Sequence, residues 1–207
     1  NLTTLKNFMN NKLAIIGAGG HGKVVGEIAL LNHYKFIDFF DDQVKKIKEF
    51  PFNIVDTLDY LNEHLEDYDA FFVAIGDNKI RSKKIEWLKK NKVNIVSLLH
   101  PKSTISKFSS IGIGTCVMAN AVVNAGSVIK EGVIINTSAS VDHDCLIENF
   151  AHISPNCSIS GGVRIGKFSH LGTGTSVYPG INIGNNVKSG IGSKVFKNIL
   201  DNTIHKN

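Results

Sequence analysis

Residues 105–188 read, in blocks of six, ISKFSS IGIGTC VMANAV VNAGSV IKEGVI INTSAS VDHDCL IENFAH ISPNCS ISGGVR IGKFSH LGTGTS VYPGIN IGNNVK. The first residue of every block is aliphatic, from Ile105 and Ile111 through Val141 and Ile147 to Val177 and Ile183. Four residues later most blocks carry something small or thin, including Ser109, Thr115, Ala121, Ala139, Cys145, Ala151, Cys157, Ser169 and Thr175. A helical face repeats near 3.6 residues and a half-buried strand near two, so neither accounts for a period of six. A hexapeptide β-helix does, with three blocks forming one triangular coil of about 18 residues. The aliphatic residue then fills a flat side and the small one a tight corner. Stacked coils satisfy each other's backbone groups at about 4.8 Å, as strands of a parallel sheet do. Gly112, Gly166, Gly172 and Gly184 directly follow their aliphatic residue and are expected to supply the positive φ that corners demand.

Upstream of this stretch the pattern changes. After a polar lead-in, Lys12 to Ile16 reads as a buried strand, and Gly17-Ala18-Gly19-Gly20-His21-Gly22 follows at once. Lys23 to Leu31 reads as a helix with Val24, Val25, Ile28 and Leu31 on its apolar face. That context gives the glycine pattern meaning, because glycines at a strand-to-helix turn let a phosphate approach the backbone at the helix N-terminus. Lys35 to Phe40 is a second strand, and Asp41-Asp42 lie about 20 residues past the turn, where an acidic pair can hold a ribose or a base. A helix over 57–65, a strand over 70–75 ending in Gly76-Asp77-Asn78, a charged helix over 80–90 and a strand over 93–98 complete the alternation. Alternating strands and helices imply a parallel sheet with right-handed crossovers and ligands at its carboxyl edge. The expected fold is a small α/β Rossmann-like domain over 1–100 and an all-β parallel β-helix over 101–207, divided at His100-Pro101. The first part has room for about one mononucleotide-binding half, which favours a mononucleotide-type ligand over NAD.

Composition narrows the function classes. The net charge of +5 is dispersed, without an arginine-rich run or basic-aromatic alternation, so nucleic acid is not an expected partner. The apolar runs fall short of the roughly 20 residues a bilayer span needs, and the chain is expected to be soluble and cytoplasmic. Three cysteines lack metal-ligand spacing, and Cys145 and Cys157 fall at the small corner position.

Outward positions of a β-helix need only solubility, so clustered functional groups there stand out. His143 is flanked by Asp142 and Asp144. A carboxylate on one ring nitrogen leaves the other as a proton acceptor and stabilises the imidazolium, which is what acyl transfer to an amine or hydroxyl requires. Either aspartate can be that partner. His152 and His170 share one block position a coil apart, and their side chains are expected to stack and line a groove rather than to hold a metal. Thr173, Gly190, Ile191 and Gly192 lie farther along, with Lys188 and Lys194 within reach of a phosphate.

Taken together, the Gly17–Gly22 turn, Asp41-Asp42, Ala74-Ile75-Gly76-Asp77-Asn78 with Arg81, Ile135-Asn136-Thr137, His143-Asp144 and Ala151-His152 resemble the hexapeptide-repeat sugar acyltransferases of the NeuD/PglD type, whose β-helix is left-handed. The resemblance covers nearly the whole chain. It implies a nucleotide-sugar substrate bound through Gly19, Gly20, His21, Asp41, Asp42 and Gly76. It implies acetyl-CoA held by the β-helix at His152, Thr173, Gly190, Ile191 and Gly192, and a homotrimer with active sites between adjacent β-helices. His143 would be the general base and Asp144 its orienting partner, with no metal. The implied reaction is N-acetylation of a nucleotide-linked 4-amino sugar for a surface polysaccharide or glycan, and O-acetylation of sialic acid or a similar sugar is the alternative acceptor chemistry. Asp144 replaces a glutamate of the N-acetyltransferase relative, and the C-terminus lacks the family's Gly-Val-Pro-Ala-Lys type of ending. A metal-dependent β-helix hydratase and a nucleotide-binding regulatory subunit are the competing classes.

Overall fold

From Gly114 through Asp144 to Gly192, every sixth residue has a positive φ, 64°, 58° and 67° at those three. These bends separate two-residue strands that form three parallel sheets of five, seven and six strands. This computed structural model describes residues 11–206, so the polar lead-in lies outside the described residues. Register runs coil to coil: Ile135 pairs with Ile153, Val141 with Ile159, and His152 with His170. The second residue of each two-residue strand points inward, and Val123, Ile135, Val141, Ile147, Ile153 and Ile165 belong to one buried column. Burying each such side chain contributes about 1.5–3 kcal/mol.

The bends do not fall on the glycines expected to make them. Positive φ occurs three residues after the aliphatic position, where Asn120, Ser138, Asn156 and Asn186 serve beside several glycines. Short polar side chains that bond locally tolerate this region. Gly112, Gly166 and Gly172 have another role, because a Cβ on them would lie 2.5–2.6 Å from the backbone of the next coil. They permit close stacking at the corner. Phe150 and Phe168 also take positive φ, 60° and 61°, which costs roughly 1–2 kcal/mol each. Their rings stack at 5.4 Å and join the core beneath the charged helix.

The α/β part is built from β1 (Lys12–Ile16), α1 (Gly20–Leu31), β2 (Phe36–Phe40), β3 (Asn53–Asp56), α2 (Leu58–Glu63), β4 (Ala70–Val73) and α3 (Asn78–Lys90). Its parallel sheet has the order β3-β2-β1-β4. The short edge strand β3 was not expected from the sequence. The strand expected over 93–98 is reduced to a bridge between Phe71 and Ile95. Beyond it the chain leaves this sheet, and β5 (Leu98–Leu99) pairs with Cys116–Val117 as the first rung of the β-helix.

The two parts share side chains. Leu98, Cys116 and Met118 pack with Val25, Ile28 and Ala29 of α1, and Phe150 joins Ile85 and Leu88 of α3. Arg81 of α3, 1% exposed, donates from Nε to Gly132 O (2.7 Å), from Nη1 to Ile75 O and Gly76 O (both 3.0 Å), and from Nη2 to Asn78 Oδ1 (2.9 Å) and Phe150 O (3.0 Å). Asn78 Nδ2 donates to Phe168 O at 2.9 Å. The last coil is shorter, with Lys188 in register with Ile204. There Asn198 Oδ1 accepts from Asn182 N and Asp201 Oδ1 from Asn185 N, both at 2.8 Å, so side chains supply acceptors for the preceding coil.

Gly166→Ala, which forces a Cβ against the Gly184 carbonyl group, should lower stability by about 1–3 kcal/mol. Urea unfolding should show this, with Asn156→Gly in the same background close to neutral.

Candidate active site

A cavity of about 470 Å³ opens at the carboxyl edge of the α/β sheet. Gly19, Gly20, His21, Asp41, Asp42 and Gly76 all line it, so the sequence-predicted substrate residues are brought to one place. The turn that places them is held by Asp41, whose Oδ2 accepts from Ala18 N at 2.9 Å and Oδ1 from Gln43 N at 2.8 Å. Asp41 thus braces the glycine turn. Gly17 has φ of 107°, and a Cβ there would meet Ala74 O at 2.9 Å, so only glycine closes the turn against β4. Gly22 is equally constrained, because a Cβ would run into Gly17 O. No side chain caps the N-terminus of α1, which faces this cavity. Asp42 Oδ1 accepts from Leu58 N at 3.1 Å, and Lys84 Nζ lies 3.5 Å from its Oδ2. Lys84 lines the cavity and was not singled out in the sequence, although Ile80 and Lys84 share a face of α3 by their spacing.

His152 borders the same region. It is 9% exposed, its ring stacks on His170 at 4.3 Å, and the two strands are in direct register. Asn136 Oδ1 accepts from Thr137 N at 2.8 Å, which turns its amide nitrogen toward His152 Nε2 at 3.1 Å. His152 Nε2 is then the acceptor and Nδ1 carries the proton, sealed from solvent beside Gly76 and outside full hydrogen-bond geometry. Desolvation, and after it the nearness of His170, Arg81 and His21, drives the His152 pKa down to about 2. Desolvation and Arg81 lower His21 to about 4, its Nε2 likewise sealed without a partner. His170 is lowered mainly by desolvation and then by Lys188, and its Nε2 meets Ser154 Oγ at 3.0 Å. These rings stay neutral around the buried Arg81 cation.

His143 has the opposite environment. It stands with Asp144 at an outer corner, 62% and 72% exposed, with Nδ1 2.9 Å from Asp144 Oδ2. Asp142 instead accepts from His143 N at 2.8 Å and Asn124 Nδ2 at 2.9 Å, so it fixes the backbone while Asp144 orients the ring. The hydrogen bond to Asp144, then the charge of Asp142, raise the His143 pKa above the usual histidine value. Asp144 sits at a positive-φ corner position, which aspartate tolerates. Space for the pair comes from two glycines a coil away. A Cβ on Gly161 would lie 2.5 Å from His143 Nε2, and one on Gly126 would collide with Asp144 Oδ1. Gly161 follows His143 by one coil, a spacing from which the sequence could have named it.

His143 and Asp144 lie on the corner between the six- and five-stranded sheets, and Thr173, Gly190, Ile191 and Gly192 lie on the corner between the seven- and six-stranded sheets. A single chain therefore does not bring these two sets together. Ile191 is 80% exposed, and a Cβ on Gly192 would meet nothing within 4 Å, so this corner is an exposed, uncrowded surface. Among the described residues, no group of three or more His, Cys, Asp or Glu is placed to hold a metal ion. Among them also, no helix is long and apolar enough to cross a membrane.

A hexapeptide β-helix carrying an outward His-Asp pair, joined to an α/β domain with a glycine-turn cavity, is the build of a two-domain acyltransferase. Residues 12–88 match the PglD N-terminal domain family. The acetyltransferase domain of PglB from Neisseria gonorrhoeae FA1090 superposes with a TM-score of 0.91 at 42% identity, over 96% of this chain and 97% of that one, and has also been solved with acetyl coenzyme A. PerB from Caulobacter crescentus, solved in complex with CoA and GDP-perosamine, superposes with a TM-score of 0.84 at 34% identity, over 92% of this chain and 91% of that one. A UDP-N-acetylbacillosamine N-acetyltransferase of Bacillus subtilis (strain 168) is 36% identical over 111 residues, 52% of this chain and 51% of that protein. The match thus spans about half the length of that curated relative. The chain belongs to the PglD-like hexapeptide-repeat acetyltransferases.

Gly161→Ala should push the His143 ring off Asp144 and return its pKa toward the usual histidine range, read by NMR titration of the ring. Acid should weaken the fold through the buried rings. His21 and His152 titrate lower folded than unfolded, so the unfolded chain takes up more protons below about pH 6.5 and stability falls as pH drops. Urea midpoints at pH 7 and pH 5 should show the loss, and His152→Asn should flatten the dependence.

Proposed function

We propose that this protein transfers an acetyl group from acetyl-CoA to the amino group of a nucleotide-linked amino sugar, for surface polysaccharide or glycan synthesis. The observation that carries the reading is the exposed His143–Asp144 pair, with its ring oriented through Nδ1 and its basicity raised. Residues 1–100 serve the nucleotide sugar, through Gly19, Gly20, His21, Asp41, Asp42 and Gly76. Residues 101–207 serve acetyl-CoA, with Thr173, Gly190, Ile191 and Gly192 forming an exposed corner along which an extended thioester arm can lie and His152 bounding the site from the interface.

The neutral amine attacks the thioester carbonyl. Its nitrogen–carbon bond forms as His143 Nε2 accepts the proton, and Asp144 stabilises the resulting imidazolium. Collapse breaks the carbon–sulfur bond, and the proton passes to the departing thiolate. No covalent enzyme intermediate is needed, and a positioned general base contributes about 10²–10⁴ in rate.

The two halves of the acetyl-transfer site occupy different corners of one chain, which supports a homotrimer in which His143 of one copy faces the open corner of the next. The wall between those corners carries the short side chains Ser140, Ser158 and Ser176, flat enough for such an approach. The use of acetyl-CoA and a nucleotide-linked sugar supports a cytoplasmic location.

Acetylation of UDP-, dTDP- and GDP-linked 4-amino sugars, followed by thiol release, tests the reading, and no transfer to any of them would overturn it. His143→Ala should lower kcat by about 10²–10⁴ with little change in KM for either substrate. The general base must be neutral, so turnover should fall as pH drops through the raised His143 pKa. Asp144→Asn should shift that acidic limb to lower pH while reducing the plateau.

A further inference from the structure

The corner that carries His143 and Asp144 is tied at both ends to the preceding coil. Ser127 is fully buried, and its Oγ donates to Asp142 O at 2.5 Å while accepting from Cys145 N at 3.0 Å. Between those two bonds, Asp144 N donates to Ala125 O at 3.0 Å. Asn124 Nδ2 donates at 2.9 Å to Asp142 Oδ1, the same oxygen that accepts from His143 N. Residues 124–127 thus form a template for residues 142–145. The Ser127 bridge recurs at other corners. Thr115 Oγ1 donates to Lys130 O (2.9 Å) and accepts from Val133 N (3.2 Å), and Ser169 Oγ donates to Gly184 O (2.6 Å) and accepts from Val187 N (2.9 Å). In the column to which Ser127 belongs, however, a hydroxyl makes this bridge only beneath His143. Ser109 bonds within its own coil to Ser106 O at 2.6 Å, the Cys145 thiol is a weak donor toward Ser160 O at 3.2 Å, and Val163 and Ile181 carry no polar side-chain atom.

A proton acceptor works from one place, and a misplacement of about 1 Å can cost about 10² in rate. The His143 ring is 62% exposed, so it takes its place from the corner backbone and from Asp144 rather than from surrounding walls. We infer that Asn124 and Ser127 are positioning residues for the general base, Ser127 by fixing the backbone on both sides of the His143–Asp144 pair and Asn124 by fixing the Asp142 carboxylate beside it. The inference rests on the acetyl-transfer reading and adds to it the groups that hold the base in position. Asn124 also governs the charge that the ring feels. Asp142 is kept below the usual carboxylate range first by the Asn124 amide and then by the His143 N–H, and its charge is the second cause, after the Asp144 bond, of the raised His143 pKa. The flanking stretches Asn124-Ala125-Gly126 and Ser160-Gly161-Gly162 bring no further ionisable group to the ring, and the adjacent Cys145 thiol is pushed up by burial and stays neutral.

Two measurements on the full chain test this: turnover of acetyl-CoA with the amino sugar that is acetylated, and NMR titration of the His143 ring, which needs no substrate. Ser127→Ala should lower kcat on the order of ten- to a hundredfold with KM for both substrates nearly unchanged. Ser127→Thr should restore most of the loss, since threonine already makes this bridge at position 115. Ser169→Ala removes the equivalent bridge at another corner, and it should shift the urea midpoint as Ser127→Ala does while kcat holds. Asn124→Ala frees the Asp142 carboxylate to turn to water, so the His143 pKa should fall toward the usual histidine value and the acidic limb of turnover should move to lower pH. In an Asp142→Ala background the same substitution should add nothing, because Asn124 acts through that carboxylate. Asn124 is exposed, so its variant keeps the fold and decides alone if Ser127→Ala is not recovered folded. Equal kcat in the Ser127→Ala and Ser169→Ala variants, with an unmoved His143 titration in Asn124→Ala, would overturn the positioning role and leave the general base standing. Unchanged turnover in His143→Ala would overturn both.

Discussion

The guanidinium of Arg81 is the point at which the molecule is held together. Taking a cation out of water costs several kcal/mol unless its donors are matched, and here all five N–H groups meet an acceptor. Those acceptors belong to the loop after β4, to the first turn of α3 and to two β-helix corners. One side chain therefore fixes where the Gly76 loop, which lines the glycine-turn cavity, sits relative to the coils. Desolvation draws its pKa down only to about 10, so it remains charged at neutral pH. The neutral state of His21 and His152 follows, since a second positive charge beside Arg81 in this dry region would be unmatched.

The contrast with His143 follows from position alone. Both imidazoles lie on the same solenoid within ten residues of each other in sequence, yet one faces the covered wall and the other an open corner. The covered ring cannot take a proton, and the open one is tuned upward by its own neighbours, Asp144 through the ring and Asp142 through its charge. Of these two rings, His143 is the one suited to accept a proton near neutral pH, and His152 is left to packing and hydrogen bonding.

The β-helix was legible because one physical rule, an inward aliphatic residue every six, repeats fourteen times between Ile105 and Ile183. Its corners were less so. The bend is made by Asn, Ser, Asp, Gly and even Phe150 and Phe168, residues that share a backbone conformation without sharing a side-chain type. The lining of the glycine-turn cavity was legible because a glycine turn and an acidic pair at fixed spacing carry their own chemistry. Lys84 was not, because a position on one helix face reaches the cavity only once α3 is packed on the sheet, and the Arg81 network was not, because it depends on how one domain leans on another, which no local pattern records. The strand expected over 93–98 failed for the same reason. Its apolar residues are shared between the end of one sheet and the start of another, and local propensity cannot say where the chain crosses.

The one-coil register also constrains how this molecule can change over time. Each residue of a rung bonds the residue a coil away, and inward and outward positions alternate within a two-residue strand. A substitution in a rung is a local event. Loss or gain of a single codon there would turn every later core residue toward water and put the His143 corner out of step with the coils on either side. Length changes can survive only as whole coils or as excursions at a bend, so lineages of this protein should differ by side chains along the walls and by loops at the edges.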